Sequence, residues 1–249
     1  MQAYITLARR EMGSFFYSWI AYVVIAGAML LTGMGFVTLL DRLQGEPTPM
    51  PLTEIFLGGC FWLIVLFSAP VITMRLFAVE RHSGTFETLM TTPVSDWQVV
   101  LAKFTAAIVF YMLMWLPLLA CVLVLRYCAH DATLFDPRTL GTTYLGIFLT
   151  GCLYMAVGCF ASALTHNQIV AAMISFAIGL AFFLAGFMDG PIDLQGTWAG
   201  QAFSYVSVLA QMKDYARGVV DTRSVVFCLT SSFFFLFLSC RVIESRRWR

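Results

Sequence analysis

Apolar runs of membrane-crossing length recur six times along the chain, each closed by a short polar interval. They cover roughly Trp19–Leu40, Ile55–Phe77, Val99–Leu125, Thr143–Leu164, Ile169–Met188 and Val225–Ile243. A helix crossing a bilayer needs about 20 mostly apolar residues, so each run predicts one spanning helix. Pro70 and Pro117 fall inside the second and third runs. Proline removes a backbone donor and kinks a helix, which membrane bundles tolerate where neighbouring groups re-satisfy the freed carbonyl. Arg241 interrupts the end of the sixth run, where a long basic side chain can snorkel to the interface. Ahead of the first run, Met1–Met12 is polar and carries Arg9-Arg10-Glu11. The run that follows is longer than the 7–15 apolar residues of a signal peptide, which predicts an anchor that stays. Tyr4, Leu7 and Ala8 share one side of a helix over Met1–Met12, as expected of a short helix lying in the interface.

Composition supports the same picture. The 249 residues are 60% hydrophobic and 12% charged, with a mean hydropathy of +0.82; globular chains are about one quarter charged. The expected fold class is therefore an all-α polytopic membrane protein forming a single transmembrane domain over residues 1–249. A net charge of +1 without a basic stripe gives no reason to expect a nucleic-acid partner. Lysine and arginine in the flanks set orientation. With both termini cytoplasmic, the inner side holds Arg9, Arg10, Arg75, Arg81, Lys103, Arg241, Arg246, Arg247 and Arg249, and the outer side Arg42, Arg126, Arg138, Lys213, Arg217 and Arg223. Among the outer loops, Asp189–Ser224 is the longest. It contains an apolar stretch, Phe203–Leu209, and Lys213–Gly218, which reads as a helix ending at a glycine.

The chemistry-bearing patterns are mostly absent. A P-loop needs a lysine after glycine, and the two lysines, Lys103 and Lys213, follow Ala102 and Met212. His82, His130 and His166 lie in predicted loops, and neither H-E-x-x-H nor G-x-S-x-G occurs,. No catalytic residue is expected, so the chain is not expected to be an enzyme. Cys60, Cys121, Cys128, Cys152, Cys159, Cys228 and Cys240 form no C-x-x-C pair and read as packing residues, with no metal site or cofactor. The spans carry almost no charge in their central portions and no repeat is detectable, which argues against an ion-coupled carrier.

The densest local signal is Val79–Phe104, with a coupling segment expected over 79–98. Glu80-Arg81-His82 ends the second span, and Ser83-Gly84-Thr85 breaks the helix. Phe86, Leu89 and Met90 then fall at i, i+3 and i+4 on one face, Glu87 occupies the first turn, and Pro93 stops the piece. Ser95-Asp96-Trp97-Gln98 has the form of a capping box opening the third span. By spacing alone, this reads first as an ordinary interfacial helix between two spans.

The pattern Glu80-x-x-x-Gly84-Thr85-x-Glu87-x-Leu89-x-x-x-Pro93 resembles the signature of type-2 ABC exporter permeases, closest to the gliding-motility-associated subfamily. Tyr215–Asp221, Phe234–Leu238 and Arg241–Trp248 are similar to that subfamily's C-terminal end. The resemblance implies a six-span permease subunit in a bacterial inner membrane. It would pair with a second permease, as homo- or heterodimer, and dock two cytoplasmic ABC ATPase subunits that hold ATP and magnesium; an auxiliary subunit with an extracytoplasmic domain is a further implied partner. Glu80, Gly84, Thr85, Phe86, Glu87, Leu89, Met90 and Pro93 would form the coupling interface, with Phe86, Leu89 and Met90 facing either the ATPase groove or the membrane. Gly190–Arg223 would be an outer helical hairpin whose Tyr215, Arg217 and Gly218 act at an outer gate. Two other readings remain open: a structural or assembly component of a membrane complex, and a copper-related permease suggested by 13 methionines and seven cysteines.

Overall fold

The computed structural model describes residues 2–45, 53, 57–82, 84, 95–129, 137–186 and 205–247. All of its regular structure among these residues is helical. The elements are α1 (Gln2–Phe16), α2 (Trp19–Gly45), α3 (Gly59–Thr73), α4 (Arg75–His82), α5 (Asp96–Met114), α6 (Leu116–Ala129), α7 (Pro137–Leu164), α8 (Gln168–Ala185), α9 (Val208–Ala216) and α10 (Thr222–Arg247). Six helical units are long and apolar enough to cross a membrane: α2, α3 with α4, α5 with α6, α7, α8 and α10.

The two prolines act differently. Pro70 sits inside α3, where the Thr73 hydroxyl donates back to the Ala69 carbonyl at 2.7 Å. The helix ends at Met74 and restarts as α4. Pro117 instead lies in the first turn of α6, where its missing N–H costs no helical bond; the break is at Trp115, whose N–H bonds the Met112 carbonyl at 3.1 Å. The fourth span begins six residues earlier than its apolar run, at Pro137. Hydropathy misses this turn because it is polar, yet the Thr143 hydroxyl donates to the Thr139 carbonyl and that of Thr142 is shared between the Thr139 and Tyr215 carbonyls, which lets threonine sit inside a helix.

α7 is the axis of the bundle. Of its most apolar stretch 83% is buried, against 17% for α8, and α3, α4, α5, α8, α9 and α10 all pack on it. Its glycines allow that approach: a Cβ at Gly146 would lie 2.8 Å from the Tyr215 Cβ, one at Gly151 2.7 Å from Tyr111 Cδ1, and one at Gly158 2.5 Å from the Thr73 Cβ. Small residues at helix contacts are how membrane helices gain van der Waals packing when lipid is as apolar as the partner helix. Outward faces of α2, α8 and α10 carry exposed Val23, Leu30, Ile169, Met173, Val226 and Phe233, as lipid-facing helices do.

Candidate functional site

The end of the bundle where the second span gives way to the third is built by polar groups inserted between helices. Restarting a helix at Arg75 leaves first-turn N–H groups without helical partners. Ser162, fully buried on α7, supplies one: its Oγ accepts from Phe77 N at 3.0 Å and Ala78 N at 3.2 Å and donates to the Met74 carbonyl at 3.2 Å. One turn on, Arg81 Nη1 donates to the Ala163 carbonyl, satisfying one of the open carbonyls at the end of α7. α4 is thus fixed at both ends to α7.

Glu80 then projects toward α5 and α1. Lys103 Nζ lies 2.9 Å from Glu80 Oε1 and 3.1 Å from Glu11 Oε2, and 5.4 Å from the centre of the Phe77 ring. Arg10 Nη2 closes the set, 2.8 Å from Glu11 Oε1 and 3.4 Å from Glu80 Oε1. The Lys103 side chain is 1% exposed, Glu11 11%, Glu80 18% and Arg10 56%. Two positive and two negative groups therefore share one cluster that is dry at Lys103 and wet at Arg10. The Glu11 hydrogen bond holds the Arg10 guanidinium above its usual value, with the two carboxylates' charges adding to it. Buried charge survives only when paired and hydrogen-bonded, and this cluster meets that requirement across three helices.

The rest of α1 follows the same partner. Tyr4 donates to Thr105 Oγ1 at 3.0 Å, Phe15 stacks on Phe110 with ring centres 5.2 Å apart, and Arg75 Nη1 donates to Ser18 Oγ just past the helix end. The expected helix is present, over Gln2–Phe16, and its inward face carries Glu11 as well as Tyr4 and Leu7. From the sequence, Lys103 is only an inner-side charge and Glu11 has no role. The available signal was periodicity: Glu11 continues the Tyr4, Leu7, Ala8 series at i+7, and Lys103 lies within an apolar run.

Of the residues expected at the coupling interface, Glu80 and Gly84 are described. Gly84 has φ +73°, left-handed backbone that a residue without Cβ adopts readily. Thr85, Phe86, Glu87, Leu89, Met90 and Pro93 lie outside the described residues. Ser95 occupies the N-cap of α5 with extended backbone, but its hydroxyl makes no capping bond. The expected capping box is therefore not formed on the serine side; the turn is held instead by the Ser95 carbonyl, which accepts from Gln98 N at 2.9 Å.

At the opposite end, α9 lies against the start of α7 and of α10. It ends as its Gly predicts: Val219 N bonds the Asp214 carbonyl at 3.0 Å and Gly218 N the Tyr215 carbonyl at 3.1 Å, with Gly218 at φ +85°, a Schellman motif. Thr142 donates to the Tyr215 carbonyl and Thr53 to that of Ala216, while the buried Tyr215 ring fills the space left by Gly146. Burial pushes the Tyr215 hydroxyl up to about 12. Arg217, the C-cap, is exposed. The structure thus gathers Tyr215 and Gly218 into one contact with α7. Gly218→Val is expected to lower stability by about 1–2 kcal/mol, the cost of left-handed backbone for a residue with a Cβ, with Gly218→Asn milder; equal unfolding midpoints for all three proteins would refute this.

Among the described residues no three His, Cys, Asp or Glu side chains converge as a metal site, and the described cysteines are free thiols spread over α3, α6, α7 and α10. Residues 37–241 match the family model for ABC-2 family transporter protein. No curated protein matches the chain.

Proposed function

The chain belongs to the ABC-2 family of transporter proteins, the multi-pass membrane permease component of an ABC transporter, and on that premise we propose that force from a separate ABC ATPase enters it through residues 79–98. The observation that carries this reading is the Glu11–Lys103–Glu80 cluster. It ties the two helices flanking the segment, α4 and α5, to each other and to α1, so a push on the segment reaches three helices as one body. Gly84, Thr85, Phe86, Glu87, Leu89, Met90 and Pro93 form the docking element and Glu80 anchors it. On the same proposal this end and both termini are cytoplasmic, a reading supported by the excess of lysine and arginine in these flanks, and the membrane is a bacterial inner membrane.

On the same reading the transporter is an exporter of the gliding-motility-associated subfamily. Its permease unit pairs with a second permease and docks two ATPases, which bind ATP and magnesium. Tyr215, Arg217 and Gly218, at the far end of the central helix, act in the outer gate. The test is co-purification and ATP hydrolysis with the partner ATPase. Glu80→Lys and Gly84→Trp are expected to lower ATPase association, stimulated hydrolysis or both. Wild-type behaviour from both variants would refute the coupling assignment.

A further inference from the structure

We propose that the pocket between α3, α8 and α9 holds the acyl chain of an anionic membrane lipid, with Lys213 binding its headgroup. The pocket has a volume of about 320 Å³ and is walled by Leu57, Trp62, Leu66, Phe183 and Leu209, with Lys213 the charged group among the described residues of its lining. That volume is at the lower end of the roughly 300–1,000 Å³ of ligand pockets, room for one slender apolar ligand. The Trp62 and Phe183 rings, 5.1 Å between centres, form an aromatic wall. Gly58 and Gly59 contribute no side chains, and a Cβ at Gly59 would meet nothing among the described residues within 4 Å, so these residues leave this side open. Leu63, also in the lining, is 47% exposed.

Position and charge select the occupant. The pocket lies over the first two turns of the second span, where hydrocarbon gives way to headgroups and where tryptophan and lysine are favoured. Lys213 is exposed in the last turn of α9. The adjacent carboxylate, Asp214, lines a separate polar pocket with Tyr205, Gln211, Asp221 and Arg223. The apolar pocket therefore presents a cation above a greasy slot, the complement of an anionic headgroup on an acyl chain. A zwitterionic lipid would fill the slot and bring its own cation near Lys213.

Quenching of Trp62 by brominated acyl chains reads this site directly. The full chain is placed in bilayers containing brominated phosphatidylglycerol or brominated phosphatidylcholine, and the Trp62 signal is taken as the difference from Trp62→Phe. Trp62 is expected to prefer phosphatidylglycerol roughly fivefold, as one basic side chain near an anionic headgroup confers. Lys213→Gln should abolish the preference, Lys213→Arg keep it, and Gly59→Leu lower quenching by both lipids. Equal quenching by the two lipids in wild type, a preference surviving in Lys213→Gln, or a Trp62 shielded from both would each overturn the proposal.

Discussion

Replacing Lys103 by methionine is expected to lower stability by about 3–5 kcal/mol, the usual result of removing one partner of a buried ion pair. The ammonium is 1% exposed and serves two carboxylates, at 2.9 and 3.1 Å. Without it Glu11 and Glu80 face each other in a poorly hydrated space, and only Arg10, 56% exposed, remains to offset them. The loss belongs to stranded charge, so neutralising the carboxylates should recover most of it: Lys103→Met with Glu11→Gln and Glu80→Gln should unfold close to wild type. The triple variant retains the packing but not the ionic tie between α1, α4 and α5. Its α1 should therefore be cleaved faster in limited proteolysis despite the recovered stability. A single Lys103→Met variant as stable as wild type would show that the cluster does not hold these helices together.

Alanine at Gly158 or Gly151 is expected to destabilise the bundle by about 1–3 kcal/mol, the cost of forcing extra volume into a filled core. At Gly158 the new methyl overlaps the side chain of Thr73, itself fixed to the Ala69 carbonyl beside Pro70; at Gly151 it overlaps the ring of fully buried Tyr111. Gly27 and Gly141 are the controls, because a Cβ there meets nothing within 4 Å. Alanine at either should be neutral or stabilising by roughly 0.4–1 kcal/mol, since it restricts the unfolded chain more than the folded one. Thermal unfolding of the four variants in one detergent gives the ranking. Uniform behaviour across the set would mean that α7 is not packed as closely as described.

The six spans were legible because the signal is a plain one: about 20 apolar residues in a row. The ends of the spans were less so. Pro137–Thr142 is helical although polar, with the Thr142 hydroxyl satisfied by the Thr139 and Tyr215 carbonyls, and hydropathy does not register that. Gly218 was legible as a helix stop, because glycine supplies left-handed backbone regardless of what surrounds it. Ser95 illustrates the opposite: the capping-box spelling was present, yet the hydroxyl makes no capping bond. The charged cluster was half visible. Glu11 and Lys103 each stand at unusual positions, but pairing them requires knowing that α1 folds back along α5, a contact between residues more than ninety positions apart. Nor could the glycines of α7 be assigned, since spacing does not say which ring or hydroxyl will fill the gap.

The central claim is that the end of the bundle carrying residues 83–94 is where an ATPase docks. It is tested most directly by photocrosslinking in cells that express the partner ATPase. A photoreactive benzoylphenylalanine replaces Phe86 in one protein and Val219, exposed at the opposite end, in another. Because Phe86 and Glu87 belong to the apolar and polar sides of the segment, the same residue is also placed at Glu87. The account predicts that illumination joins the ATPase to the chain from position 86 or position 87 and not from position 219. Capture from position 219, or none from either position 86 or position 87 while the ATPase still co-purifies, would contradict it.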